Sequence, residues 1–285
     1  RKVLMQAPKN GFLYVIDRET GKLVAANKIV KVTWATSIDL ATGRPVQDPN
    51  SWYPDGKNFE LWPSYTGAHS APPSAYDPRS GMMFIPTIEK GAVYHDRDTK
   101  IEGWKRAPLN AYDFGVNFSF TAKISDPLQS TSWLLAVDPL TGRQAWKVRT
   151  PHDMNGGLMV TAGNLVFQGQ NDGMFSAYDT RNGSMLWRID AQAPVIGAPI
   201  SFRVGGRQYV TVVAGMGSSA SNVLAVGGAT DLWDYQTQTR RLLTFAIGGT
   251  VKLPKPGPMK AAVPADPDYR ANPAVEEQGA SAYTL

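Results

Sequence analysis

Three short stretches of the chain combine residue types able to hold or polarise a small molecule. Lys9-Asn10-Gly11 sets an ammonium group against a strong hairpin-turn dipeptide. Asn155-Gly156-Gly157 sets a primary amide, which both donates and accepts, beside two residues with no side chain. Gly67-Ala68-His69-Ser70-Ala71 puts an imidazole next to a hydroxyl. Each also has a plain structural reading: a solvated turn lysine, an Asn-Gly turn tolerating positive φ, a polar loop. Other chemistries are poorly served. The chain has no cysteine, which removes a disulfide framework, a thiol nucleophile, a Cys-based zinc site and c-type haem attachment within it. His69, His95 and His152 lie far apart without ligand spacing, so no metal site is read from them. No Ser/His/Asp arrangement, phosphate-binding loop or carboxylate pair stands out.

The elements that must position these residues are written in a repeat. Asp-x-x-(Thr/Ser/Asn)-Gly recurs at Asp17, Asp39, Asp77, Asp138 and Asp179. Two copies are fuller, running from Ala136 to Trp146 and from Ala177 to Trp187, with Asp, Gly and Trp all offset by 41 residues. Such a unit is a hairpin. The strand ends at an Asp that accepts backbone N–H groups, Gly takes the positive-φ position, and the next strand carries the Trp. A period near 40 with short strands is that of a propeller blade. The spacing predicts strands at Phe12–Asp17, Leu158–Thr161, Leu165–Gly169, Met174–Asp179, Met185–Ile189, Ala198–Val204, Gln208–Ala214 and Leu242–Ile247. It leaves a long insertion of poor periodicity between Ile88 and Ser132. The fold expected is therefore all-β, a partial ring of about four blades over residues 1–250. Trp146 and Trp187 are expected at blade junctions.

Composition agrees. The 285 residues include 27 Gly and 21 Pro, above ordinary usage of about 7% and 5%. Residues 251–285 are rich in Pro and read as a linker. The net charge of +5 is spread in runs of no more than two, as at Arg240-Arg241, so nucleic-acid binding is not expected. No apolar run approaches the ~18 residues of a membrane span. The start at Arg1, inside what reads as a strand, suggests a chain cut from something longer.

Four ordered stretches resemble the quinoprotein alcohol dehydrogenases, periplasmic eight-bladed propellers that use pyrroloquinoline quinone (PQQ). They are Gln6 to Leu23, Asn155 to Gly173, Gly206 to Gly215 and Arg241 to Gly249. The segment Val275 to Tyr283 is similar to the approach to a cytochrome c domain, which would lie beyond Leu285. The resemblance implies that residues 1–250 are the C-terminal half of a PQQ-binding propeller. The whole enzyme would oxidise an alcohol to an aldehyde or ketone and pass electrons to haem c. From there they would reach a periplasmic acceptor such as a cytochrome or copper protein.

The same resemblance assigns roles residue by residue. Lys9 falls at the cation that reaches the reactive quinone carbonyl. Asn155 falls at the cofactor's edge, and Met154 stands where the family often has Trp. Ser70 and Ala71 stand where it has Asn, commonly followed by Trp. Ser70 can keep a hydrogen bond to the cofactor, whereas Ala71 cannot form a wall, which implies a roomier pocket for a bulkier alcohol. Gly215-Met216-Gly217-Ser218-Ser219 reads equally as a blade loop or as cavity lining. The family's catalytic carboxylate base and most Ca²⁺ ligands are expected upstream of Arg1, so no catalytic residue and no metal ligand is assigned here. Two alternatives remain: a non-catalytic periplasmic propeller scaffold of the outer-membrane assembly type, and a haem-free quinoprotein.

Overall fold

The computed structural model describes residues 1–97, 102–103, 105, 117–119, 130–151, 153, 155–215, 233, 238–255, 270, 272–275 and 277. β1 (Val3–Gln6), β2 (Phe12–Asp17) and β3 (Leu23–Lys28) form an antiparallel meander, followed by a hairpin of β4 (Ala35–Ile38) and β5 (Pro45–Gln47). β6 (Phe59–Leu61) precedes β7 (Ala75–Asp77) and β8 (Met82–Glu89). Next come β9 (Ala92–His95), β10 (Asn117–Ser119), β11 (Thr131–Val137) and β12 (Gln144–Thr150). Of these, β7, β8, β11 and β12 make the second blade, while β6, β9 and β10 pair into a separate sheet. The third blade is β13 (Leu158–Val160), β14 (Leu165–Gly169), β15 (Met174–Asp179) and β16 (Met185–Asp190). The fourth is β17 (Ile200–Val204), β18 (Arg207–Ala214) and β19 (Arg241–Ala246).

The described residues thus form the expected partial propeller, with four consecutive meander sheets. Strand alternation explains how the sheets stack. Ile85, Leu135 and Val137 point into a core shared with Phe12 and Leu13 of the first blade. Their neighbours Phe84, Leu134 and Ala136 point the other way, into a core with Val166 and Tyr178 of the third blade. Phe167 and Phe175 then meet Val212 and Leu243 of the fourth. Inner strands bury both faces, so they read as continuous apolar runs rather than half-polar alternation.

All five repeat turns close alike. In each, the Gly N–H donates to the Asp carbonyl at 2.8–2.9 Å. The Asp carboxylate accepts one or two backbone N–H groups from the turn, as from Glu19 and Thr20 at Asp17 and from Arg181 at Asp179. The five glycines have φ between 70° and 75°. Trp146 donates its indole N–H to the Thr180 carbonyl of the next blade at 2.9 Å, and the Trp187 ring lies 5.2 Å from Phe245. Both sit at blade junctions, as expected. At the first junction Asn27 does the same work, donating to the carbonyls of Pro139 and Leu140.

Two features differ from the sequence reading. The region between Ile88 and Ser132 is not structureless throughout, because β9 pairs with β6 and β10. Those three- and four-residue strands pair across long sequence separations, which periodicity cannot detect. The start of the 251–285 segment is also tied down. Leu253 packs on the third–fourth core, and the Arg241 guanidinium donates to the Pro254 carbonyl at 3.3 and 3.4 Å. No helix among the described residues is long and apolar enough to cross a membrane.

Candidate functional site

Lys9 lies in the turn between β1 and β2. Asn10 shapes that turn: its side chain accepts from the Phe12 N–H and donates to the Tyr14 hydroxyl, and its carbonyl accepts from the Trp34 indole. Gly11 sits at φ 93°, and a Cβ there would lie 2.5 Å from Val32. The Lys9 stem crosses Gly67, where a Cβ would come within 2.5 Å of Lys9 Cγ. The Lys9 carbonyl accepts from the Ala68 N–H at 2.9 Å. Its ammonium is exposed and donates to the Tyr65 carbonyl at 3.2 Å. The Tyr65 N–H in turn donates to the Tyr94 hydroxyl, which burial pushes up to about 12, so that oxygen stays a neutral phenol.

The loop carrying Ser70 is held by His69. Its ring nitrogens face the Ala7 carbonyl at 2.6 Å and the Pro72 carbonyl at 2.8 Å, clasping the approach to Lys9 onto this loop. A cavity of about 450 Å³ opens beside it, lined by Met5, Gln6, Ala7, Pro8, Lys9, His69, Ser70, Ser74 and Met83. The size suits a small planar ligand. Ala71 is exposed and does not line this cavity.

Asn155 is buried. Its amide donates to Thr150 Oγ1 at 2.8 Å and accepts from the Asn171 N–H at 3.4 Å. The segment reaches Ser70's loop through Leu158, whose N–H donates to the Pro73 carbonyl at 2.9 Å. Asn155 and Ser70 both border a second, small chamber, which Lys9 does not touch. The structure therefore brings the three loops together. Ser70 shares the Lys9 cavity, and Asn155 stands behind Ser70 with its amide engaged by protein. Met154 and Met216–Ser219 lie outside the described residues. Among the described residues no group of three or more His, Cys, Asp or Glu could hold a metal ion.

Sequence reasoning passed over three contributors. His69 lies inside a recognised motif, but its clasp on the Ala7 and Pro72 carbonyls is set by tertiary packing rather than by the motif. Trp133 borders the small chamber, with its indole N–H buried and, among the described residues, without a hydrogen-bond partner. Lys90 and Asp153 form a buried ion pair at 3.3 Å, and Asp153 also accepts from Ser130 and Ser132. No local pattern marks the Lys90–Asp153 pair, because its members lie 63 positions apart.

The residues present fit a planar anionic quinone in part. Lys9 offers positive charge, Ser70 a hydroxyl, and Gly67 the clearance that lets the lysine stem cross. Comparison with known proteins gives the family of the chain. Residues 49–210 match the family model "PQQ: Glucose/ethanol/alcohol dehydrogenase, beta-propeller domain". The chain is 42% identical over 92% of its length to quinohemoprotein alcohol dehydrogenase ADH IIB of Pseudomonas putida, covering 37% of that protein. It superimposes on the solved quinohemoprotein alcohol dehydrogenase ADHIIG of the same species with TM-score 0.76 and 37% identity. That match covers 99% of this chain and 42% of the other. The enzyme from Comamonas testosteroni superimposes with TM-score 0.73 and 28% identity over 100% of this chain and 40% of that one. The chain belongs to the PQQ-dependent dehydrogenase β-propeller family. It spans about two-fifths of the length of these relatives. Membership in this family displaces the outer-membrane scaffold alternative.

Proposed function

We propose that the chain is the C-terminal half of the propeller of a periplasmic PQQ-dependent alcohol dehydrogenase, and that the Lys9–Ser70 cavity is its part of the cofactor site. The observation that carries this is the meeting of Lys9 and Ser70, 61 positions apart, on one cavity of suitable size. PQQ, when bound, supplies the acceptor for the two electrons that leave the alcohol. The protein's own residues prepare the pocket for it. Lys9 places a fixed positive charge where an oxygen gains negative charge, and such preorganised charge is a large catalytic term. Ser70 presents a hydroxyl, and His69 with Gly67 fixes the loop against the lysine.

The base, the Ca²⁺ ligands and the remaining blades belong to the N-terminal half of the whole protein. Haem c belongs to a domain beyond Leu285, which passes electrons to a periplasmic cytochrome or copper protein. Exposed Ala71 leaves room for a bulky or secondary alcohol. Two measurements on the full-length enzyme test the reading. Lys9→Met should lower kcat by about 10²–10³, and an unchanged kcat removes Lys9 from the site. Bulky alcohols should show higher kcat/KM than ethanol, and the reverse order sinks the roomy-pocket proposal.

A further inference from the structure

His69 stands in the loop between β6 and β7 and lines the cavity that Lys9 and Ser70 share. Its Nδ1 lies 2.6 Å from the Ala7 carbonyl oxygen, and its Nε2 lies 2.8 Å from the Pro72 carbonyl oxygen. A carbonyl oxygen only accepts, and a neutral imidazole carries a single N–H. A neutral ring would therefore turn one bare nitrogen lone pair onto a carbonyl oxygen. The Ser74 hydroxyl stands 3.3 Å from Nε2, farther off than the Pro72 carbonyl, and does not displace it. The imidazolium has two N–H groups and satisfies both carbonyls at once. Ala7 and Pro72 are both buried, where a carbonyl without a donor is costly.

We propose that His69 is an imidazolium clasp, which ties the approach to Lys9 onto the Ser70 loop and adds a second positive charge to their cavity. The clasp joins residues 62 positions apart. Of the side chains that line the cavity with it, β1 offers Met5 and Gln6, the turn after β1 Lys9, the loop Ser70 and Ser74, and β8 Met83. Lys9 is the one other charged group in that lining. Lysine side chains keep their charge through the histidine range, so the cavity gains or loses one charge as His69 titrates. Two positive charges in one cavity repel, and an anion bound there relieves the repulsion. Proton binding at His69 and anion binding in the cavity thus favour each other. The ligand class that fits is an anion, and acid conditions tighten its hold. His69 acts through the loop and through its charge, as a positioning residue.

This inference rests on the PQQ reading above, PQQ being an anionic quinone, and the test separates the two. The clasp is read first without ligand, on the apo form of the full-length enzyme. The thermal midpoint of the unsubstituted protein should exceed that of His69→Gln most at about pH 5, and the gap should narrow by about pH 8, because the second N–H is lost over that range. A gap that does not change with pH overturns the clasp. PQQ is then titrated by equilibrium dialysis. Absence of saturable binding by the unsubstituted protein at every pH overturns the PQQ reading, and the midpoints still decide the clasp. Where PQQ binds, its affinity should fall about fivefold from about pH 5 to about pH 8, the scale of one half-exposed charge pair. That slope should be absent in His69→Gln. Equal slopes in the two proteins, with the variant weaker by one factor at every pH, mark a merely structural histidine and overturn the second charge. Should His69→Gln not fold, site-specific replacement of His69 by 2-fluorohistidine keeps the ring, removes its basicity and reads the same outcomes.

Discussion

Lys90 and Asp153 face each other with side chains only 9% and 4% exposed. A buried pair of this kind adds little net stability, yet removing one partner strands a charge. Lys90→Met in the full-length protein should therefore cost about 3–5 kcal/mol in chemical denaturation. Lys90→Met/Asp153→Asn should recover most of that, since Asn can still accept from Ser130 and Ser132. An equal loss in both variants would mean that the lysine stem, not its charge, matters. Asp153 lies two positions before Asn155, and its carbonyl accepts from the Asn171 amide. The pair thus anchors the segment behind Ser70. At this scale, Lys9 and Ser70 were readable because their motifs are local. Asn155 was marked by the same kind of motif, but its burial and its partners Thr150 and Asn171 appear only once the blade is built.

The repeat turn is the unit that builds the elements, and it carries two measurable consequences. Gly183 combines φ 75° with a Trp146 ring that a Cβ would approach to 2.7 Å. Gly183→Ala meets backbone strain and a blocked junction together, so it should cost more than the ~1 kcal/mol of an ordinary Gly–Ala difference. A cost below that value, read from urea midpoints, would show that the blades separate freely there. The turn aspartates set the acid limit. The Arg181 guanidinium and backbone N–H hold the Asp179 carboxyl down at about 2. Asp17 is held below the ordinary range by the Thr20 N–H and Arg1. Burial pushes Asp77 and Asp138 up, but Arg79 with Ser80 at one, and the Leu140 and Thr141 N–H groups at the other, outweigh it. Each folded value lies below the unfolded one. The stabilisation is thus complete above about pH 4 and is lost as pH falls toward 2. Thermal midpoints should drop across that window, with a shallower slope in Asp179→Asn. The same unit explains how much of the fold was visible in advance. The strand–turn–strand grammar is local, so β2, β14 and β15 fell at their expected boundaries. The pairing of β6 with β9 is not local and was missed.

Over the whole molecule, the four blades leave one apolar face uncovered among the described residues. On the fourth blade Ile200, Phe202, Val204, Val213 and Leu242 point to the side away from Val212 and Leu243, and Leu242 is 71% exposed. In the proposed whole enzyme, the N-terminal blades supply further structure to the ring. The isolated 285-residue chain should accordingly show no PQQ-dependent dye reduction, because the proposed function assigns the base and the Ca²⁺ ligands to the N-terminal half. Measurable turnover would show that the assignment of those groups to the N-terminal half is wrong. What the sequence determined by itself was the repeat, the turn chemistry and the motif loops, since each depends on contacts within a few residues. Tertiary structure decided what the loops share: that Ser70 joins Lys9 in one cavity, that Asn27 bridges a junction where the next two blades use Trp, and that Asn155 turns its amide to Thr150 and Asn171. Those outcomes depend on how blades stack, and stacking is set by the summed packing of two sheet faces rather than by any one stretch of chain.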